Sequence, residues 1–302
     1  MKVSVIIPVY NAFPFLDLSI QSALDQPQTG EVILIDDRST DRSWEKCEEW
    51  VRKDKRVKLF RNEGIKGAGA ARNVGLRNAT CEYIAFLDAD DYYLEVRFED
   101  TERLFVKNKD IDGILESAIV VSKNLNNNKV ISGRFINNEI LGCKSSYKKL
   151  NVIDLFQDTS LLIQAITIKN NILQKSVTFD ESLKQTQDTD FILYLIQNYT
   201  IISGKYEKPV VAYRFHQNNT TKNYDEAIFY RHLFYRKHVR LCLKGYYQLG
   251  LIYYFFKRYV EYTYLITRMS NILPKKIEKM LMMPYFIITL FSDPIVWSKN
   301  KS

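Results

Sequence analysis

The sequence predicts an α/β protein with a mostly parallel central sheet and flanking helices, followed by a C-terminal helical extension. Two observations carry this. From Val3 to Leu87, strand-length apolar runs alternate with stretches of helical periodicity, the pattern of successive βαβ units. The charge balance then shifts: residues 1–224 carry 30 basic and 30 acidic side chains, whereas residues 225–302 carry 13 and 5, the whole of the formal net charge of +8.

The elements follow in order. Val3–Ile7 is a β-branched run closed by Pro8, a buried first strand. Pro14 to Asp25 has apolar residues Phe15, Leu16, Ile20, Ala23 and Leu24 near helical spacing. Val32–Ile35 is a second strand ending in Asp36-Asp37, and Ser39, Thr40 and Asp41 offer caps for a helix through Trp44, Cys47 and Val51. Val57–Phe60 is a third strand, and the Gly- and Ala-rich stretch from Gly64 to Gly75 leads into a helix ending near Asn78. Tyr83–Leu87 is short, apolar and continuous, which suits a strand buried on both faces. Beyond it, Phe98 to Val106 reads as a helix, Gly113–Val121 as one strand, and Asn126–Asn128 as a turn. Short strands are expected within 129–150, a strand at Ala165–Ile168, a helix at Thr189–Tyr199 and a last strand at Val210–Tyr213.

The chain has 302 residues, 46% of them hydrophobic, enough for one large domain or a domain plus an extension. Cys47, Cys81, Cys143 and Cys242 form no C-x-x-C pair, which disfavours a disulfide framework or zinc site and fits a reducing compartment. The N-terminal run Met1–Pro8 is too short and strand-like for a signal peptide, so a cytoplasmic location is expected.

The chemistry concentrates where Tyr83–Leu87 runs into Asp88-Ala89-Asp90-Asp91. Ligands bind beyond the carboxyl ends of the strands in open α/β sheets. Crowded carboxylates repel, and a hard divalent cation such as Mg²⁺ or Mn²⁺ offsets that repulsion and commonly bridges to nucleotide phosphates. Taken alone, a single Asp-x-Asp favours the plainer reading, an acidic turn that caps the following helix, and it is the rest of the chain that shifts the weight. Gly67-Ala68-Gly69-Ala70-Ala71-Arg72 is not a dinucleotide fingerprint, because it follows the third strand and Arg72 stands where a third glycine belongs. No phosphate-loop motif occurs.

Residues 225–302 hold 17 of the 40 aromatic residues, with uncharged runs Gly245–Phe256 and Met280–Ser292. Neither run is long enough to span a bilayer, which takes about 20 residues. Amphipathic helices on an anionic membrane are one reading; packing on the rest of the chain or an oligomer contact is the other. No nucleic-acid motif is present, so no nucleic-acid partner is expected.

Four pieces in order resemble the inverting family-2 glycosyltransferases of the GT-A fold: Ile6-Ile7-Pro8-Val9-Tyr10-Asn11, Asp36-Asp37-Arg38-Ser39-Thr40-Asp41, Gly69-Ala70-Ala71-Arg72-Asn73-Val74-Gly75 and Asp88-Ala89-Asp90-Asp91. Two later pieces are similar to the family's E-D and Y-R-x-H motifs: Gln187-Asp188-Thr189-Asp190-Phe191 and Tyr213-Arg214-Phe215-His216. The resemblance implies a Rossmann-like GT-A domain over 1–224, with a nucleotide-sugar-binding half (1–95) and an acceptor-binding half (96–224), before the extension 225–302.

It also implies roles. Pro8, Tyr10, Asn11, Asp37, Arg72, Asp88 and Ala89 would bind the nucleotide, with Arg72 at the diphosphate. Asp90, Asp88 and His216 would hold Mn²⁺ or Mg²⁺. Asp188 would be the base and Gln187 would meet the acceptor, in place of the family's usual glutamate. Asp190 is the rival base, and capping remains an alternative for Asp36 and Asp37. The implied reaction moves a sugar from a nucleotide diphosphate sugar, UDP-linked above all, to a hydroxyl of a glycan or lipid-linked glycan in surface-polysaccharide synthesis. Two other classes stand beside it: a non-catalytic sugar-nucleotide or glycan-binding module, and a glycoside hydrolase built on a carboxylate pair.

Overall fold

The computed structural model describes residues 1–123, 130–136, 148–152, 162–175, 177–205, 207–215, 224–246 and 249–269. The expected turn at Asn126–Asn128, His216 and the run Met280–Ser292 lie outside them. The chain divides into two compact units, Met1–Asn219 and Thr220–Ser302.

The first unit opens with alternating strands and helices: β1 (Val3–Val9), α1 (Leu16–Leu24), β2 (Thr29–Asp36), α2 (Ser43–Lys53), β3 (Val57–Arg61), α3 (Ala68–Asn78) and β4 (Tyr83–Phe86). β1 runs two residues past Ile7 and includes Pro8, which pairs in register with Ile35. β1, β2, β3 and β4 are parallel neighbours, and every residue of β4 is buried, as its continuous apolar run predicts. α3 packs close to this sheet: a Cβ on Gly75 would collide with Ile6 and lie 2.9 Å from Ile35, so glycine sets the helix-to-strand distance.

The second half departs from the expected pattern. β5 (Tyr92–Tyr93) precedes α4 (Glu99–Lys107), and the apolar stretch from Gly113 is two strands, β6 (Gly113–Leu115) and β7 (Ala118–Lys123). They belong to different sheets. The chain turns at Glu116-Ser117, where the buried Glu116 carboxylate accepts from Arg97 and Thr101. β8 (Val130–Ile136) pairs antiparallel with β7. β9 (Ile166–Lys169) is antiparallel to β4 and β6, the reversed strand in an otherwise parallel sheet. α5 (Gln187–Asn198), β10 (Ile201–Ser203) and β11 (Val211–Phe215) complete the unit. The main sheet has the order β10-β6-β9-β4-β1-β2-β3, and a second sheet the order β5-β11-β7-β8.

One aromatic cluster ties the layers together beneath the carboxyl edge of the sheet. Phe179 stacks on Phe191 of α5 at 4.0 Å and meets Phe86 of β4 edge-on at 5.5 Å. Asn73 of α3 locks the same segment, accepting from the Phe179 backbone N–H and donating to its carbonyl oxygen. α3, β4 and α5 are thereby fixed to one another.

The second unit contains a helical pair, α6 (Tyr224–Leu243) and α7 (Leu249–Met269). α6 stops in a Schellman motif: the Gly245 N–H donates to the Cys242 carbonyl and the Tyr246 N–H to that of Leu241, with Gly245 at φ +76°. Tyr235 stacks on Tyr262 at 5.4 Å and His238 on Phe255 at 5.0 Å, so part of the aromatic excess packs helix on helix. His232 meets Thr263 at 3.1 Å, and burial and Arg236 push its pKa down to about 4, keeping it neutral. Among the described residues, no helix is long and apolar enough to cross a membrane.

Candidate active site

The candidate site forms at the carboxyl ends of β1, β2 and β4. The turn after β4 gathers three carboxylates: one oxygen each of Asp88, Asp90 and Asp91 lie within 4.8 Å of one another. The capping alternative for them fails, because the next helix begins only at Glu99. Each is held differently. Asp88 accepts from Arg72 Nη2 at 2.5 Å and from Gln164 Nε2 at 2.7 Å. Asp91 is fully buried and accepts from the Arg214 N–H and from the same Gln164 Nε2, both at 2.7 Å. The backbone carbonyl of Asp90 accepts from Arg214 Nε.

Burial and crowding show in the proton affinities. Burial raises Asp91 well above the usual carboxylate range, and Asp90 and Asp88 add to the rise. Asp88 is raised by burial against the pull of Arg72, with Asp90 and Asp188 pushing further up. A cation between these groups would offset that cost, which is the sense in which the donor set fits a hard divalent ion.

Arg72 projects from α3 into the same place. It is 3% exposed and leans on the Phe179 ring, and besides its bond to Asp88 its Nε and Nη1 are buried with no partner. Two unused donors on a buried guanidinium beside an acidic cluster suit an incoming polyanion.

Asp188 lies at the start of α5, where its Oδ1 accepts its neighbour Thr189's N–H at 2.7 Å. A helix start favours the ionised form. Here burial is the larger effect and raises Asp188, with Arg72 pulling the other way. Gln187 is buried, its Oε1 has no partner, and its stem packs against Gly69. Asp190 is buried one turn into the helix.

The nucleotide-side candidates are distributed around the ends of β1 and β2. Pro8 sits within β1, Ala89 is buried, and the half-exposed Tyr10 ring carries Lys66 Nζ at 3.7 Å from its centroid. Asn11, at φ +48°, spends its side-chain oxygen on the Thr40 N–H at 2.7 Å. Asp36 accepts from the N–H groups of Arg38 and Ser39, closing its own turn. Asp37 accepts from Asn62 Nδ2 at 2.6 Å and from the Gly67 N–H at 2.8 Å. Gly67 has φ +152°, a conformation open to glycine, and it leads directly into α3. Asp41 accepts from the Ser43 N–H at 3.0 Å, closing a turn just before α2, whose N-cap is Arg42 with no side-chain cap bond. Asn11, Arg38 and Thr186, three of the four non-glycine residues with positive φ among those described, lie in these loops or just before Gln187. Such strain persists where surrounding structure over-determines it, and it clusters at functional sites.

Sequence reading missed Gln164, Asn62 and Arg214 as site-building residues. Arg214 stood inside a quoted motif without a role. Gln164 left one faint signal, a lone amide inside the apolar run Leu161–Ile166.

Comparison with known proteins bears on the fold. Residues 4–151 match the family described as Glycosyl transferase family 2. The uncharacterized glycosyltransferase MJ1057 of Methanocaldococcus jannaschii is 31% identical over 199 residues, 65% of this chain and 65% of that protein. The Escherichia coli protein named UDP-Glc:alpha-D-GlcNAc-diphosphoundecaprenol beta-1,3-glucosyltransferase WfgD is 36% identical over 149 residues, 49% of this chain and 54% of its own. The matched stretches thus span about half to two thirds of those relatives' length. Among solved structures, S. aureus TarS 1–349 in complex with UDP-GlcNAc is similar with a TM-score of 0.63 at 19% identity, over 92% of this chain and 78% of that one. The sheet order and the structural likeness agree on the GT-A fold, and over residues 4–151 the chain is similar to glycosyl transferase family 2.

Proposed function

We propose that this chain is a metal-dependent, inverting glycosyltransferase that moves a sugar from a UDP-sugar to a hydroxyl of a glycan or lipid-linked glycan acceptor. The observation that carries the proposal is Arg72, a buried guanidinium with two unpartnered donors set among Asp88, Asp90, Asp91 and Asp188. The donor class draws support from WfgD, whose name specifies UDP-Glc, and from TarS, solved with UDP-GlcNAc.

In this reading Asp90 and Asp88, with Asp91 beside them, hold Mn²⁺ or Mg²⁺, and His216 is a further candidate ligand. The bound ion would supply charge neutralisation at the leaving diphosphate. Arg72 donates to that diphosphate as its charge grows. Tyr10 offers a ring face for the base, and Asp37, already oriented by Asn62 and Gly67, retains acceptor capacity for a base or ribose group. The acceptor oxygen attacks the anomeric carbon as the carbon–oxygen bond to the diphosphate breaks and its electron pair leaves with phosphate. Asp188 takes the hydroxyl proton, and Gln187 positions the acceptor. A single base and a direct displacement give inversion. A raised carboxylate pKa makes Asp188 the stronger base once ionised.

We further propose that residues 225–302 attach the protein to the cytoplasmic face of an anionic membrane, the expected location of a lipid-linked acceptor. The charge excess and aromatic content of that stretch support this.

Calorimetry of UDP with and without Mn²⁺ tests the donor site. UDP is expected to bind more tightly with Mn²⁺, and Asp90→Ala to lose most of that dependence. Equal affinity in Mn²⁺ and EDTA sinks the metal-dependent reading, whereas preference for GDP or dTDP changes only the base. Product formation from UDP-glucose and a lipid-linked acceptor then separates an enzyme from a binding module.

A further inference from the structure

Gln164 connects the acidic turn to the middle of the sheet. It lies in the short 3-10 turn Ile163–Ala165 that enters β9. β9 runs antiparallel to β4, with Tyr83 opposite Lys169 and Ala85 opposite Thr167. Continuing that register past the strand end sets residue 164 opposite residue 88. The reversed strand is therefore what brings this amide to the acids; a parallel strand would have delivered its opposite end.

The amide is 2% exposed and both its N–H donors are committed, one to Asp88 Oδ2 and one to Asp91 Oδ2, each at 2.7 Å. Its Oε1 is buried without a partner. The flipped orientation would turn that oxygen onto two carboxylate oxygens, so the donors must face the acids. The backbone beneath is fixed as well. The Gln164 carbonyl accepts from Arg97 Nη2 at 3.3 Å, and the fully buried Arg97 also binds Glu116 and Thr167. The remaining oxygen of Asp88 meets Arg72 and that of Asp91 meets the Arg214 N–H. Each carboxylate oxygen thus has one protein donor and retains lone-pair capacity for a cation.

We propose that Gln164 is a positioning residue of the cation site: its amide clamps Asp88 and Asp91 into one arrangement, so that a divalent ion binds carboxylates already organised. A neutral donor does this without adding to the negative charge, which a glutamate there would increase. The inference rests on the proposed metal-dependent function and extends it to a residue that no motif includes. Partners that orient metal ligands typically account for ~10–100-fold in metal affinity.

The test is a Mn²⁺ titration of the purified full-length chain, read by calorimetry or by the loss of free Mn²⁺ signal in electron paramagnetic resonance. Gln164→Met keeps the volume and removes both donors; Gln164→Asn keeps an amide one methylene too short to span both acids. Each variant should bind Mn²⁺ ~10–100-fold more weakly than wild type. The thermal stabilisation gained on adding Mn²⁺ should shrink accordingly. Should the Met variant fail to fold, the Asn variant carries the comparison. Variants that melt lower yet keep wild-type Mn²⁺ affinity would reduce Gln164 to a structural residue and overturn the proposal. A wild-type chain that binds UDP but no Mn²⁺ would overturn the metal-dependent reading itself, and this proposal with it.

Discussion

At the residue scale, three side chains give separable expectations. Arg72→Met removes the buried, unpartnered donors that the proposal assigns to the diphosphate. Hydrogen bonds to charged groups are worth ~1.5–3 kcal/mol, so UDP affinity should fall ~10–100-fold in calorimetry, with the fold retained. Asp188→Asn keeps the shape and removes the basicity. It should lower kcat by ~10²–10⁴ and leave UDP affinity near wild type, because the base acts on the acceptor. An active Asp188→Asn enzyme beside an inactive, folded Asp190→Asn enzyme would move the role to Asp190. Glu31 is a stability probe remote from these groups. Burial works to raise its pKa, but Lys58, Ser4 and Thr80 outweigh burial and hold it down to about 2. A folded-state pKa below the unfolded value contributes stability above the unfolded pKa, and that contribution is lost as pH falls through the folded one. Unfolding followed by circular dichroism should therefore show stability dropping from about pH 4.5 to 2, and Glu31→Gln should flatten that limb.

At the element scale, the site depends on α3, β4 and α5 holding one geometry. α3 does so by approaching the sheet at Gly75, and through Asn73, which grips both polar groups of the Phe179 backbone. Gly75→Ala should cost about 1–3 kcal/mol, the usual penalty of overpacking, and lower the melting temperature by several degrees. An unchanged melting curve would show that α3 can shift outward freely. β1, β2 and β4 were readable from the sequence because each centres on a short apolar run between turn signals, the pattern of a strand buried on both faces, and β3 as a shorter, half-buried run that includes Lys58. The stretch from Gly113 was not, because the polar pair Glu116-Ser117 between two apolar runs does not by itself say that the chain changes sheets there. The break is set by Glu116, whose partners Arg97 and Thr101 come from other elements. The antiparallel direction of β9 was equally hidden, since an apolar run carries no sign of its direction.

At the scale of the whole molecule, the proposed membrane attachment rests on the basic, aromatic C-terminal stretch. Full-length protein should bind anionic vesicles at low salt and leave them as salt rises, since each nearby Lys or Arg contributes about 1 kcal/mol of surface attraction. A chain ending near residue 223 should move to the unbound fraction in flotation. Full-length protein that ignores such vesicles would assign these residues to packing or self-association. The pairing of Tyr235 with Tyr262 and of His238 with Phe255 already uses part of the aromatic content within α6 and α7, while Phe229, Leu243 and Tyr246 remain exposed.

The sequence by itself determined the α/β class, the order of the first strands and helices, and the acids at the end of β4. These are local properties: periodicity, turn chemistry and charge spacing are written in neighbouring residues. Tertiary structure alone decided that Arg72 holds buried, unpartnered donors beside Asp88, that Asp188 is raised by burial where its place at a helix start favours ionisation, and that Gln164 reaches across from a reversed strand to join two acids. Proton affinity depends on what surrounds a group in space, and a hydrogen bond between residues far apart in sequence depends on strand direction and register. Neither is a property of the stretch of chain in which the residue stands.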